Sequence, residues 1–318
     1  GVSIATVSRV LNKKSNVSKD VIKKVLDTAR ALNYDVSKFK SKDFSKVIAV
    51  LVPRITNTFY NDIFDGIQDA ATQNNYGVVI IQLKSGVGNI AQIPGFLYDG
   101  IKNGIIDGVI CQEHAEHLKE LLDDITVPVV QCCEYDEELP HPYVAIDDYN
   151  AAYNAVSFLA STNRKRIALL NSTTHSLYGR KREEGYLDAL KDMNLEIDDQ
   201  LLYHLRSIDL NVAYSAALKL LSIDNPPDAI FCVSDTYAIA AIRAAKNLGL
   251  NIPADIAVVG FDNLDVSAMC EPPLTTVNQP RYEIGNAACT TLIGLIKKRP
   301  PMSKGLLIGS ELVVRGST

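Results

Sequence analysis

The sequence predicts an α/β protein with a core of two parallel-sheet lobes, preceded by a small all-α head. Apolar runs rich in Val and Ile alternate with helical stretches from residue 46 onward. The runs are continuously apolar, which is typical of parallel strands covered on both faces. They form two groups, at about 47–146 and 164–262, so a cleft between two similar lobes is expected. A chain of 318 residues is long enough for two or three domains.

The head begins with a short amphipathic helix in GVSIATVSRVLN. Ser3 is a good N-cap, and the pattern predicts a helix from Ile4 to Asn12. One face is apolar, with Val7, Val10 and Leu11. The opposite face is small and polar and carries Ala5, Ser8, Arg9 and Asn12. Such a face can lie in a DNA major groove, where an arginine reads a guanine edge, although a solvated surface helix is the alternative.

A second helix is predicted in NVSKDVIKKVLDTARALNY, with Ser18 as its N-cap. Its buried face is expected to hold Val21, Ile22, Val25, Leu26, Ala29 and Leu32. Residues 1–46 contain eleven Lys/Arg and four Asp/Glu, a net charge of +7, whereas the whole chain has −5. A basic head on an acidic body predicts a polyanion-binding module joined to a globular domain.

The elements of the body follow in order along the chain. Strands are predicted at VIAVLVP, GVVIIQL, DGVIC, VPVVQCC, RIALL, AIFCVS and IAVVGF. Helices are predicted at FYNDIFDGIQDAATQNN, AAYNAVSFLAST, GYLDALKDM and TYAIAAIRAAKNLG. This alternation is typical of parallel βα units.

Composition and motifs exclude several classes of protein. The sequence has no apolar run of about 18 residues, so no membrane helix is predicted. The six cysteines show no metal-ligand spacing and are expected to be buried reduced thiols, which fits a cytoplasmic protein. Neither a phosphate-binding G-x-x-x-x-G-K-[ST] nor a G-x-S-x-G motif is present, so no cofactor and no enzymatic activity are expected.

Polar and aromatic residues at strand ends are candidates for a ligand site in the cleft. Asn57, Phe59 and Tyr60 follow the first strand, and the rings could face a sugar or a base, although Phe59 could equally be core. Asp235 and Asp262 end two strands of the second lobe. Their carboxylates could accept hydrogen bonds from ligand hydroxyls, or they could cap the next helix.

The two head helices resemble the DNA-binding region of the lactose/galactose repressor family of bacterial transcription regulators, and the resemblance continues to ELVVRGST at the end of the chain. It implies a helix-turn-helix head and a periplasmic-binding-protein-like core of two lobes joined by three crossovers. The family's first helix is expected immediately upstream of Gly1, so the head is interpreted as truncated. The chain ends at Thr318 without a heptad tail, so we expect a homodimer.

The resemblance divides the chain into a head at 1–34, a hinge at 35–46 and a core at 47–318. Lobe 1 is expected to comprise about 47–147 and 278–304, and lobe 2 about 148–277 and 305–318.

The resemblance also implies which residues contact double-stranded operator DNA. The residues expected at base edges are Ile4, Ala5 and Arg9, and those expected at phosphates are Ser3, Thr6, Ser8 and Asn12. The hinge departs from the family, because YDVSKFKSKDFSKVIAV is shorter and lacks the leucine that wedges into the minor groove. Phe39 is the apolar candidate to replace that leucine.

In the second lobe, Arg182 begins a match to the family's R-x-x-G-[FY], whose arginine points into the cleft. Ser176 and Tyr178 occupy positions that often contact effector, and Asp147 matches an acidic position near the hinge. An arginine, several aspartates and flanking aromatic rings favour a neutral, hydroxyl-rich effector such as a sugar over a purine.

The sequence therefore predicts a dimeric, sequence-specific transcription regulator, a repressor, that is controlled by a small-molecule effector. A solute-binding protein for transport would share the bilobed core, but it predicts an export signal and no basic head. A sugar-modifying enzyme with an appended DNA domain would need a group in the cleft that turns substrate over.

Overall fold

The head contains two helices, α1 (Ile4–Leu11) and α2 (Lys19–Ala31). They belong to a computed structural model that describes residues 2–11, 17–32, 46–83, 95–112, 122, 125–173, 176–206 and 208–318. Ser3 is the N-cap of α1, as predicted, since its Oγ accepts a hydrogen bond from the Thr6 N–H at 3.1 Å. Helix α1 is described as far as Leu11, and Asn12, the predicted last residue, lies outside the described residues.

The two head helices contact each other through a small apolar seam. Val10 of α1 and Val25 and Ala29 of α2 are buried, as the periodicity predicts. The prediction is wrong for Ile22 and Leu32, which are exposed. Leu32 follows the last turn of α2, so it lies beyond the face that packs on α1.

The first lobe is built on a parallel sheet. Its strands are β1 (Val47–Val52), β2 (Gly77–Gln82), β3 (Ile106–Cys111), β4 (Val129–Cys132), β5 (Tyr143–Ile146) and β11 (Gly305–Ile308). Their spatial order is β11-β5-β4-β3-β1-β2. The described helices of this lobe are a 3-10 turn (Thr58–Tyr60), α3 (Asn61–Gln73), α4 (Gly95–Lys102) and α10 (Arg281–Ile296).

The second lobe repeats this architecture with one difference. Its strands are β6 (Ile167–Asn171), β7 (Leu202–His204), β8 (Ala229–Cys232), β9 (Ala257–Asp262), β10 (Thr275–Asn278) and β12 (Glu311–Val313). The order is β12-β10-β9-β8-β6-β7, and β12 is the antiparallel edge of an otherwise parallel sheet. The helices are α5 (Asp148–Ser161), α6 (Leu177–Asp192), a 3-10 turn (Asp199–Leu201), α7 (Leu210–Leu221), α8 (Asp235–Asn247) and α9 (Asp265–Met269).

Helices α3 and α10 pack closely against each other because each has a glycine at their contact. A Cβ at Gly285 would lie 2.0 Å from the Ile63 carbonyl oxygen, and one at Gly66 would lie 2.0 Å from the Tyr282 oxygen. The two backbones therefore approach to a distance that excludes any side chain at these positions.

The chain crosses between the lobes three times, as the resemblance implies. The crossings lie between β5 and α5, between β10 and α10, and between β11 and β12. The expected boundary at 304/305 is wrong, because residues 305–308 pair with β5 in the first sheet. The last crossing therefore follows Ile308.

Two observations bear on the excluded classes. Within the described ranges, no helix is both long and apolar enough to span a membrane. All six cysteines are free, and four of them are buried, which agrees with the predicted thiols.

Candidate functional site

A cavity of about 690 Å³ lies between the two lobes, where the strand ends of both sheets meet. Residues after β1 and β4 form one wall, and residues after β6, β8 and β9 form the other. This is the position at which parallel α/β folds bind ligands, and the volume is that of a small-molecule site.

The wall from the first lobe carries the three residues predicted there: Asn57, Phe59 and Tyr60 all line the cavity. Asn57 Oδ1 accepts a hydrogen bond from the Phe59 N–H at 3.1 Å and so caps the 3-10 turn that presents the rings. The rings of Phe59 and Tyr60 meet edge to face, with centroids 5.2 Å apart. Phe59 also packs against the core, so both interpretations of this residue hold.

Arg182 is buried on the opposite wall and is held from three sides. Its Nε and Nη2 donate to Asp148 Oδ1 at 2.8 and 2.7 Å, and its Nη1 donates to the Val233 carbonyl at 2.6 Å. The guanidinium stacks 3.5 Å from the centroid of Phe261 and 4.9 Å from that of Tyr178. These contacts fix its plane, and among the described residues they account for three of its five N–H groups.

Asp262 also lines the cavity, at the end of β9. Its φ is 113°, a costly conformation for a residue with a side chain, and such strain is concentrated at functional sites. Gln279 donates a hydrogen bond to its Oδ1 at 2.7 Å. Burial raises the pKa of Asp262 to about 8, whereas the nearby Arg182 and Arg281 oppose that rise.

Asp235, which the sequence analysis places at the ligand site, does not line the cavity. This residue is fully buried behind the cavity wall. One carboxylate oxygen accepts from the Leu264 N–H at 2.7 Å, and the other accepts from Thr276 Oγ1 at 2.6 Å. Burial raises the pKa of Asp235 to about 6. Asp235 therefore connects the segments that follow β8 and β9 to β10, and the cap of α8 is the preceding Ser234.

Asp147 and Ser176 are helix caps and do not line the cavity, which corrects two further predictions. Asp147 accepts from the Asn150 N–H at the start of α5, and Ser176 accepts from the Gly179 N–H at the start of α6. Their near neighbours Asp148 and Tyr178 line the cavity instead. Tyr178 was predicted, whereas Asp148 was missed.

Two contacts that the sequence did not predict join the lobes beside the cavity. Glu134, which follows β4, accepts hydrogen bonds from the Leu177 and Tyr178 N–H groups at 3.0 and 3.1 Å. Arg281, at the start of α10, donates to the Asp62 carboxylate and to the carbonyl oxygen of Asp262. Both connect groups far apart in sequence, for which a single chain offers no local signal.

The predicted DNA-binding face of α1 is accessible. Ile4 is 89% exposed, and Ser3, Ser8 and Arg9 are exposed as well. The Ser3 and Thr6 hydroxyls are hydrogen bonded to each other at 2.9 Å. The predictions for the Ala5 side chain, Asn12 and Phe39 lie outside the described residues.

The protein combines a small basic head with a ligand-sized cavity between two lobes that are joined by chain crossovers. This combination is typical of a ligand-responsive DNA-binding protein. Residues 1–37 match the model for bacterial regulatory proteins of the lacI family, and residues 156–318 match that of a periplasmic binding protein-like domain. The chain belongs to the lacI family of bacterial transcription regulators.

Relatives match along the whole chain. The HTH-type transcriptional repressor CytR of Escherichia coli K12 is 33% identical over 325 residues, which cover 100% of this chain and 93% of CytR. Catabolite control protein A of Priestia megaterium is 32% identical over 323 residues, which cover 100% of this chain and 96% of that protein.

Solved structures agree with this assignment. The transcriptional regulator CelR in complex with cellobiose superposes with a TM-score of 0.77 at 27% identity, covering 100% of this chain and 97% of CelR. CcpA of Lactococcus lactis superposes with a TM-score of 0.78 at 25% identity, covering 86% of this chain and 99% of CcpA.

The comparisons decide between the regulator and the solute-binding protein. A transport protein with the same core would lack the head, whereas residues 1–37 match a DNA-binding family and the relatives are transcription regulators. The protein is therefore a sequence-specific DNA-binding transcription regulator with an effector-binding core.

Proposed function

We propose that this regulator binds a neutral, hydroxyl-rich small molecule of the sugar class between its lobes. The observation that carries the proposal is the buried Arg182, which lines the cavity, is paired with Asp148, and uses three of its five N–H groups in the hydrogen bonds described above. A neutralised guanidinium is a directional donor to a hydroxyl oxygen without a demand for a charged partner.

The other lining groups suit the same ligand. Burial raises the pKa of Asp262, which favours a protonated carboxyl that can donate to and accept from a hydroxyl, and Gln279 donates a hydrogen bond to its Oδ1. Phe59 and Tyr60 offer ring surfaces to the apolar faces of a pyranose. The cellobiose complex of the structurally similar CelR supports the sugar class.

We propose that the protein acts as a cytoplasmic homodimeric repressor on twofold-symmetric double-stranded operator DNA. Ile4, Ala5 and Arg9 would contact base edges, and their neighbours on α1 would contact phosphates. The exposure of Ile4 and Arg9 supports this orientation. A dimer presents two such helices about one turn of DNA apart, which matches half-sites related by a twofold axis.

Ligand and DNA binding would be coupled through the lobes. A ligand that contacts both walls favours one angle between the lobes, and a change in that angle alters the spacing of the two heads. Ligand binding alone is sufficient for this role, so we propose that the cavity binds its ligand without catalysing a reaction.

A thermal-shift screen of sugars against the protein tests the ligand proposal. A bound ligand raises the melting temperature, because it stabilises the folded state by mass action. The double variant Arg182→Met with Asp148→Asn should lose the shift while avoiding an unpaired buried charge. Arg243→Met is the matched control, since Arg243 is exposed and lies over Tyr214 away from the cavity.

Two results would contradict the proposal. One is a ligand whose shift survives in the Arg182 and Asp148 variant, since the ligand would then bind elsewhere. The other is conversion of a sugar to product by the purified protein, which would make it an enzyme.

A further inference from the structure

We infer that the cavity selects uncharged ligands over anionic ones, and that Glu134 determines this selectivity. The inference rests on the proposed function, because it concerns the ligand of the same cavity.

The first observation concerns the N-terminus of α6, which forms part of the wall through Tyr178. The N-terminus of a helix this long attracts anions, since its first N–H groups have no partner in the helix. Here Glu134 accepts from the Leu177 N–H at 3.0 Å and from the Tyr178 N–H at 3.1 Å. Ser176 accepts from the Gly179 N–H. A carboxylate of the protein therefore occupies the place that a ligand phosphate or carboxylate would take.

The second observation is that the backbone is built to place Glu134 there. Cys133 lies in the left-handed region with φ 68°, which is uncommon for a residue other than Gly, Asn or Asp. The Glu134 N–H donates back to the Cys132 carbonyl at 2.9 Å. The chain turns sharply at the end of β4 and directs Glu134 from the first lobe to the second, where its side chain is 5% exposed.

The third observation is that the buried cation of the cavity is also neutralised. Arg182 pairs with Asp148, and both side chains are 6% exposed. In the part of the chain that the structure describes, the α6 N-terminus and Arg182 are thus both already paired with acids of the protein. An anionic ligand would have to lie beside Glu134 or Asp148 in a poorly solvated space, where like charges repel strongly.

Among the residues that the structure describes, two further arginines line the cavity, Arg54 and Arg206, and both are exposed. Arg54 Nε donates to Thr56 Oγ1 at 2.9 Å. Exposed charges are solvated and screened by salt, so they attract anions weakly and without a fixed geometry. They do not offset the acids in the depth of the cavity.

The test uses inorganic phosphate as the probe, so it does not depend on knowing the effector. The melting temperature is measured while about 20 mM chloride is replaced by phosphate at constant ionic strength. The melting temperature of the native protein should not change. Glu134→Ala should be stabilised by phosphate, because it leaves the α6 N–H groups open in a cavity with one negative charge fewer.

Asp147→Ala is the matched control, since Asp147 caps α5 outside the cavity. Phosphate should not raise the melting temperature of this variant. Glu134→Gln keeps the shape and one acceptor, so it is the second variant if Glu134→Ala folds poorly, and it should show a smaller gain. The inference is overturned if phosphate stabilises the native protein, if both alanine variants gain equally, or if neither folded Glu134 variant gains.

A second arm applies once the screen has found a neutral ligand. Its phosphate ester should bind the native protein at least about 100-fold more weakly, and Glu134→Gln should narrow that gap about tenfold or more. An ester that binds the native protein as tightly as the neutral parent would overturn the inference. A failed sugar screen would count against the proposed function alone, because the phosphate result stands without it.

Discussion

The buried pair of Arg182 and Asp148 allows a prediction whose size follows from its surroundings. Replacing Arg182 with Met leaves the Asp148 carboxylate, 6% exposed, without its cation. Breaking a buried ion pair from one side typically costs about 3–5 kcal/mol of the free energy of unfolding, because a charge is left buried and unpaired. We expect a cost of that order at pH 8 for Arg182→Met.

The cost should depend on pH in a defined direction. Burial already raises the pKa of Asp148, and Arg182 opposes that rise. Without the arginine, the folded pKa rises further above its unfolded value, so stability is retained at low pH and lost as pH increases. The variant should therefore be less destabilised at pH 5 than at pH 8.

The measurement is urea unfolding followed by circular dichroism, for the native protein, both single variants and the double variant with Asp148→Asn. The double variant removes both charges, so its cost should fall short of the sum of the single costs by about 2 kcal/mol or more. Additive costs that are equal at both pH values would refute the reasoning, since the pair would then behave as solvated surface charges.

Three further predictions concern other parts of the molecule. Gly285→Ala should cost about 1–3 kcal/mol in urea unfolding, because its Cβ would lie 2.0 Å from a backbone oxygen, whereas Gly95→Ala, with open space around it, should be near neutral. Asp262→Asn should become more stable relative to the native protein as pH rises from about 4 through 8, because the raised pKa of Asp262 makes its ionisation in the folded state costly. A difference in melting temperature between the two proteins that stays constant with pH would contradict this. In the full-length protein, Arg9→Ala should weaken operator binding by about 1–3 kcal/mol and relax the sequence preference at one base pair, and an equal loss on all sequences would make Arg9 a phosphate contact.

Much of the fold could be predicted from the sequence because the strands are buried on both faces. Continuous apolar runs identify seven of the strands, and their grouping gives the two lobes. The short edge strand at residues 305–308 could not be assigned in this way. Two of its four residues, Leu306 and Leu307, are exposed, so the strand has no buried pattern, and its pairing with β5 places it in the first lobe.

Where a residue type and its position at a strand end were enough, the sequence analysis named residues that line the cavity. Arg182, Asp262, Asn57, Phe59 and Tyr60 all line the cavity. These residues follow directly from strands whose carboxyl ends meet at one edge, so the topology alone brings them together.

Acidic residues at strand-to-helix junctions were harder to assign. At such a junction, one residue can cap the helix while the residue next to it faces the cleft. The sequence alone does not indicate which of the two does which. At the pair Asp147 and Asp148 the first is the cap and the second lines the cavity, whereas the sequence analysis names Asp147 as a site residue and makes no prediction for Asp148. At Asp235 the preceding serine is the cap, and the carboxylate instead joins three strand ends.

Glu134 shows the limit of reasoning from one sequence. Its partners lie 43 and 44 residues away on the other lobe, and its position depends on a left-handed turn at Cys133 that composition does not indicate. Contacts of this kind depend on how the lobes meet, which is set by the crossovers.

The central claim is that a head that reads DNA grooves is coupled to a ligand cavity between two lobes. Fluorescence anisotropy of the full-length protein on a selected twofold-symmetric duplex tests it directly, with and without the ligand found in the screen. The account predicts binding on the order of 10³-fold tighter than to a duplex with one half-site scrambled, and a change of about tenfold or more on saturation with ligand. Equal affinity for all duplexes at moderate salt, or an operator affinity that a cavity-bound ligand leaves unchanged, would contradict it.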